Sequence, residues 1–574
     1  MKGKKAANKF KCSYRQSYKY VLFLFFFLLV VLKIAMGLES VDPLKKVLAW
    51  VLPLFTALIL AGIVLFFVLE FKTIRAFYSD VSSKTWFFFF CILAFALVSR
   101  IFLIPHFHTV YDDEPQLIDV GRNMAFLGRA EHCSYKTEHL THCSFTTKPV
   151  GWPFLTGLLI RFLGADDFII IYAASVLGAL GCAMMFFLSY ALFRKEFLSL
   201  LSSLILCFDR LSILLSRGSD SIVPALFFVL CFMAAGAVFA HTRKKGMFFL
   251  TAALFLFVIY SRVEYVFLGV LLFAYILMKR GDAFEGINAA ACCIVILPFL
   301  TVYVLFARIF LFVEHNANYG AGLLFSQFFF EAGKILGGGY LPVAFLPLIA
   351  AGVYYGFRKH RAETWLMLLW LFSFLLFYTA WDYSQQERLF LINSVPLTVF
   401  SALGVIFAAK LVGNAWKVFP LKLNVSVSRI EKYASAALVL VIILAASVNF
   451  REANNDVPSA LLLETEMVNR VKKLNSGNCF ILTKKPMIYG AIPSIRAIDI
   501  DYLATNERFW EVILPKESCM LFVEDIFCDE RYMRGRVEGV ESCALIKNSL
   551  ELSLIESYQR NHNVVRVYEA RYAG

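Results

Sequence analysis

Charged side chains are scarce in this sequence. Asp, Glu, Lys and Arg make up 17% of its 574 residues, against roughly 25% in soluble chains. The shortage excludes an ordinary soluble fold, and the surplus that accompanies it agrees: 60% of the residues are apolar, and Phe alone occurs 60 times. No internal repeat or low-complexity segment is present, which argues against transporters built from inverted repeats. Between Lys33 and Ser40 there is no clear small-x-small cleavage site, so the first apolar run reads as an uncleaved anchor, not a signal peptide. The chain is therefore expected to be a polytopic α-helical membrane protein. Its net charge of +14 does not point to nucleic acid, because the basic residues lie mainly in short loops between apolar spans, where they set topology.

Apolar stretches of spanning length occur near 20–36, 47–69, 86–104, 167–193, 197–212, 220–240, 247–260, 264–278, 287–307, 341–357, 364–380, 389–410 and 434–450, so about 13 transmembrane helices are expected. Basic residues favour alternate connections: the tail from Lys2 to Lys19, then Lys72/Arg75/Lys84, Arg194/Lys195, Arg243/Lys244/Lys245, Lys279/Arg280, Arg358/Lys359/Arg361 and Lys410/Lys417/Lys422. The positive-inside rule then makes the N-terminus cytoplasmic and the loop 105–166 and the C-terminal tail extracytoplasmic, on a plasma or ER membrane. Three regions follow: 1–85 with a basic tail and two helices, 86–450 as the membrane domain, and 451–574 with soluble composition. In the last, Val457 to Leu474 reads as an amphipathic helix, and Cys479 to Thr483, Cys519 to Val523 and Val564 to Tyr568 as strands, giving a small α/β domain.

Against the general shortage of charge, Asp112, Asp113 and Glu114 stand together where an apolar span gives way to the loop. Such a cluster at a membrane surface is costly unless water, a cation or a reaction needs it. The loop closes with Lys148 and Pro149 ahead of the apolar stretch Gly151 to Leu163, so carboxylates and a cation bracket one connection. In order along the chain come Asp113-Glu114, Asn123-Met124-Ala125 with Gly128, then Lys148-Pro149 and an apolar helix ending at Gly164. This order and spacing resembles the GT-C glycosyltransferases, and most closely their protein O-mannosyltransferase and aminoarabinose transferase branch, which take sugars from polyprenyl-phosphate carriers. The resemblance runs from about Phe87 to Ala409. It departs at Val150, where many relatives have a second proline, and it leaves the two N-terminal spans without a role. It implies an inverting transfer of one sugar from a polyprenyl-phosphate donor to a protein, lipid or glycan acceptor, with a GT-C-like fold; no cofactor is expected, and a divalent cation is left open but not indicated.

The residues support that chemistry in their own right. A sugar on a lipid phosphate already carries a good leaving group, so the tasks left are to deprotonate the acceptor and to neutralise the released phosphate. Asp113 is the preferred base, Glu114 orients it or the acceptor, and Asp112 is a helper; the alternative is that these acids cap a helix opening at Pro115. Lys148 could bind the donor phosphate or snorkel at the interface. Asp220 matches an aspartate that GT-C relatives carry at the start of a span, and either shapes the acceptor site or pairs with Arg217. Arg262 either binds phosphate or pairs with Glu264. Arg388, in Glu387-Arg388-Leu389, looks like a pattern of the family and either contacts phosphate or anchors a span. Trp381-Asp382-Tyr383 and Glu314-His315 read as incidental and structural.

His132-Cys133 and His142-Cys143 repeat ten residues apart in the first loop. A disulfide, free thiols and a zinc site are the three readings, the disulfide being simplest in an oxidising compartment. Cys479, Cys519, Cys528 and Cys543 could form two more bridges. The rival functions are a transporter, whose ionisable groups would lie near the midplane; an oligosaccharyltransferase with a lipid-pyrophosphate donor, for which the first loop lacks an Asp-x-Asp metal pair; and a structural scaffold.

Overall fold

The computed structural model describes residues 42–107, 114–136, 141–146, 148–164, 167–280, 289–309, 345–380, 387–418, 426–455, 459–475, 479–484, 496–505, 519–525, 537–560 and 563–572, with a few isolated positions between them. Helix α1 (Asp42–Phe77) is followed by α2 (Ser83–Val98), which runs into a π-helical turn, Ser99–Leu103. The first loop then forms α3 (Glu114–Leu127), a hairpin of β1 (Glu131–Lys136) and β2 (Thr141–Phe145), and α4 (Gly151–Leu163). The membrane bundle continues with α5 (Asp167–Phe193), α6 (Glu196–Cys207), α7 (Arg210–Leu215), α8 (Ile222–Thr242), α9 (Lys245–Ser261) and α10 (Val266–Lys279). It ends with α11 (Ala289–Arg308), α12 (Leu346–Lys359), α13 (Arg361–Ala380), α14 (Ser394–Val418) and α15 (Val427–Asn455).

Six described helices are long and apolar enough to cross a membrane by length and composition, and shorter apolar helices stand between them. The expected span at 20–36 lies outside the described residues. The one at 197–212 is not continuous. Asp209 breaks it by capping α7, its Oδ1 accepting the Ser212 N–H at 2.7 Å while its Oδ2 accepts the Ser394 hydroxyl at 2.9 Å, as a short carboxylate favours at a helix start.

Beyond α16 (Ser459–Leu474), the chain forms β3 (Phe480–Thr483), β4 (Ala497–Asp499), α17 (Ile500–Thr505), β5 (Met520–Glu524), α18 (Val537–Ser549), β6 (Leu550–Arg560) and β7 (Asn563–Tyr572). The small C-terminal α/β unit is therefore present, and each of the three expected strands falls on an observed one. The sheet order is β2-β1-β4-β3-β5-β7-β6, so the hairpin of the first loop extends the C-terminal sheet. The joint is the antiparallel pairing of Tyr135 with Ile498 and of Lys136 with Ala497. Strand β3 lies parallel to both β4 and β5 and is buried along its whole length, as a strand with both faces covered must be. Ile481 packs with Leu463, Met467 and Val471 of α16, whereas Phe480 and Leu482 pack with Leu503 and Ile546 from α17 and α18.

Disulfides join Cys133 to Cys143, Cys479 to Cys519, and Cys528 to Cys543. The first settles the three readings of the loop cysteines. It closes a sequence separation of 10 residues, and crosslinks closing loops of that order stabilise by about 2 to 3 kcal/mol. Cys143→Ser is expected to lower the thermal midpoint of the purified protein and to raise amide exchange in β1 and β2; unchanged exchange would show that the bridge does not hold the hairpin.

Candidate functional site

Helix α3 opens with Glu114, whose carboxyl-bearing residue is buried at 1% exposure. Asp112 and Asp113 lie outside the described residues. One turn further on, Leu117 and Ile118 enter a core with Trp152 and Ile160 of α4. The opposite side of α3 is polar and holds the hairpin. Asp119 pairs with Arg122 at 2.6 Å, both being buried, and its Oδ2 accepts the Cys133 N–H at 2.6 Å. Asn123 donates to the Glu131 carbonyl at 2.9 Å, so within the Asn123-Met124-Ala125 motif it serves as an anchor for β1.

Close backbone contact fixes α3 against α4. A Cβ on Gly121 would collide with Thr156 and the Pro153 carbonyl, and one on Gly157 would collide with the Gly121 carbonyl. The first turn of α4, just after Lys148-Pro149, makes two further contacts. Gly151 lies against Ser261, where a Cβ would meet the backbone, and the indole of Trp152 donates to the Ser219 carbonyl at 2.8 Å. Ser261 and Ser219 immediately precede Arg262 and Asp220. Arg388 donates to Asp220 at 2.9 Å. The segments that carry Lys148, Asp220, Arg262 and Arg388 thus meet around the start of α4.

The cations in this group are held in different ways. Arg262 directs Nε and Nη2 to Oε1 of Glu264 at 2.8 and 2.6 Å, and Tyr378 donates to the same oxygen at 3.0 Å. Burial works against its charge, but Glu264 first, and then Tyr378, Tyr265 and Asp220, outweigh burial and hold Arg262 well above the usual arginine range. The pairing of Arg262 with Glu264 is the structural alternative raised by the sequence. For Asp220 the outcome differs from the Arg217 pairing: its partner is Arg388, with 7% and 15% of the two side chains exposed. Asp220 Oδ1 also accepts the Ile222 N–H at 3.3 Å, at the start of α8. Lys148 is half-buried, its backbone N–H donating to the Thr146 hydroxyl at 3.0 Å.

Several buried residues beside the group escaped the sequence reading. Arg100 and Arg217 are each fully buried. Arg100, in the π-helical turn, donates to the Cys207 carbonyl at 3.3 Å and to Ser212 at 3.1 Å. A lone cation inside an apolar span was a signal for it. His106, on the segment leading towards the acids, contacts Ser175 at 3.0 Å; burial holds it below the ordinary histidine value, partly offset by a hydrogen bond to the Arg100 backbone, and Arg217 lowers it further. For Asp119 the only signal was its i,i+3 spacing to Arg122. Trp381, Asp382, Tyr383, Glu314 and His315 lie outside the described residues.

No family model matches the sequence, and no curated protein matches it. Solved structures do match by shape. ArnT from Cupriavidus metallidurans bound to undecaprenyl phosphate superposes with a TM-score of 0.53 at 13% identity, covering 85% of this chain and 98% of that one. The same protein in the apo state gives a TM-score of 0.54 at 14% identity and the same coverage. Over most of its length, then, this chain has the fold of ArnT.

Proposed function

We propose that the chain is an inverting glycosyltransferase that takes a sugar from a polyprenyl-phosphate donor. The carrying observation is the meeting of the segments that bear Lys148, Arg262 and the Asp220–Arg388 pair around the first turn of α4, on a fold like that of a protein crystallised with undecaprenyl phosphate. In this reading the acceptor oxygen or nitrogen attacks the anomeric carbon and loses its proton to Asp113. The bond from that carbon to the phosphate oxygen breaks, and polyprenyl phosphate leaves with both electrons. Lys148, Arg388 and Arg262 offset the charge on the phosphate through charge-assisted hydrogen bonds. Glu114 orients the base or the acceptor, and Asp112 assists.

The reaction takes place on the extracytoplasmic face, because the charge bias puts the loop 105–166 and residues 451–574 there. The joining of β1 to β4 supports a common side for both. A reporter fused after Gly574 is expected to be extracytoplasmic, and cysteines introduced at exposed sites of β6 should react with an impermeant thiol reagent in intact cells. A cytoplasmic C-terminus would overturn the assigned face. The reading as a whole is tested by incubating the protein in nanodiscs with a panel of polyprenyl-phosphate sugars: at least one should be consumed with release of polyprenyl phosphate. Consumption of none, with solute movement across the bilayer, would favour the transporter instead.

A further inference from the structure

Helix α1 precedes the part of the chain that resembles known transferases, yet it reaches the candidate site through a chain of hydrogen bonds. A helical carbonyl normally accepts from the N–H four residues on. At Ala49 that residue is Pro53, which has no N–H, so the Ala49 carbonyl is left open inside a helix. The Ala130 N–H takes it at 2.7 Å. Ala130 is fully buried, and a buried N–H must find an acceptor. The Ala130 carbonyl in turn accepts the Thr146 N–H at 3.1 Å, and the Thr146 hydroxyl accepts the Lys148 N–H at 3.0 Å. Beside this relay the Arg129 guanidinium lies 4.2 Å from the centroid of the Trp50 ring, a cation–π contact. Leu48 and Leu52 share a core with Val120, Met124 and Val150, so the apolar side of α1 grips both ends of the same loop.

We propose that α1 is a strap that sets the position of Lys148, with Trp50 and Pro53 as positioning residues for the donor phosphate. The inference rests on the proposed phosphate contact of Lys148. Pro53→Ala supplies the missing N–H, lets the Ala49 carbonyl close into the helix and sets it in competition with Ala130. Trp50→Ala removes the ring under Arg129, and Trp50→Phe restores a ring.

The test measures undecaprenyl phosphate affinity of the full chain in nanodiscs together with hydrogen exchange over residues 128–148. Trp50→Ala and Pro53→Ala are expected to weaken binding several-fold and to speed exchange of the Ala130 and Thr146 amides, while Trp50→Phe stays near the wild type. In a Lys148→Ala background neither substitution should weaken binding further. Unchanged exchange in Pro53→Ala, or wild-type affinity in both strap variants while Lys148→Ala binds poorly, would refute the strap alone. Wild-type affinity in Lys148→Ala would refute the phosphate role of Lys148, and the strap proposal with it.

Discussion

Asp113→Asn is expected to lower sugar transfer by roughly 100-fold or more, the range that positioned proton transfer contributes, while expression and donor binding persist. The substitution keeps the shape of the side chain and removes its basicity. Asp112 and Glu114 are its acidic neighbours in sequence. Asp112→Asn should be milder, in keeping with its helper role. Burial of Glu114 at the start of α3 makes Glu114→Gln the informative control, since it alters the neighbour of the base without removing the base. If Asp113→Asn transfers normally while either neighbour is essential, the base is another member of the cluster; if all three variants remain active, the loop is not catalytic.

The second large effect is expected at Arg388. On the proposed reading its removal takes one charge-assisted contact from the donor phosphate, worth about 1.5 to 3 kcal/mol, which is about 10- to 150-fold in affinity. It also leaves Asp220 without the guanidinium 2.9 Å away. Breaking a buried ion pair from one side costs on the order of 3 to 5 kcal/mol, so Arg388→Ala should lower thermal stability as well as undecaprenyl phosphate binding. The two losses separate in Asp220→Asn, which spares the cation: stability should fall and donor binding should be affected less. Arg388→Lys keeps the charge without the planar fork and should fall between. Wild-type affinity in Arg388→Ala would rule out a phosphate contact at this residue.

The membrane fold was legible because its signals are local. An apolar run of spanning length announces itself without knowledge of its partners, and α5, expected at 167–193, is observed as Asp167–Phe193. For Cys133 and Cys143 a disulfide was the simplest of three readings, and it is the one observed. What was hidden depends on distant contacts. Strands β1 and β2 are brief and polar, and Lys136 could not be matched to Ala497 without the fold. Strand β4 is only three residues long, too short for a periodicity to register. The same holds for the site. Arg388, Asp220, Arg262 and Lys148 each carried a local signal, but the Asp220–Arg388 pairing joins residues 168 positions apart, and nearby Arg217 looked the simpler partner. The role of α1 was illegible for a subtler reason: Pro53 reads as a flaw in a span until Ala130 is seen to use the carbonyl it frees.

The most direct test of direct displacement from a lipid phosphate is the stereochemistry and stoichiometry of one turnover. With a consumed polyprenyl-phosphate sugar, the anomeric configuration of the product can be read by NMR while the released lipid is quantified. The account predicts a product inverted relative to the donor and one polyprenyl phosphate released for each sugar transferred. A product of retained configuration, or transfer without release of polyprenyl phosphate, would contradict it.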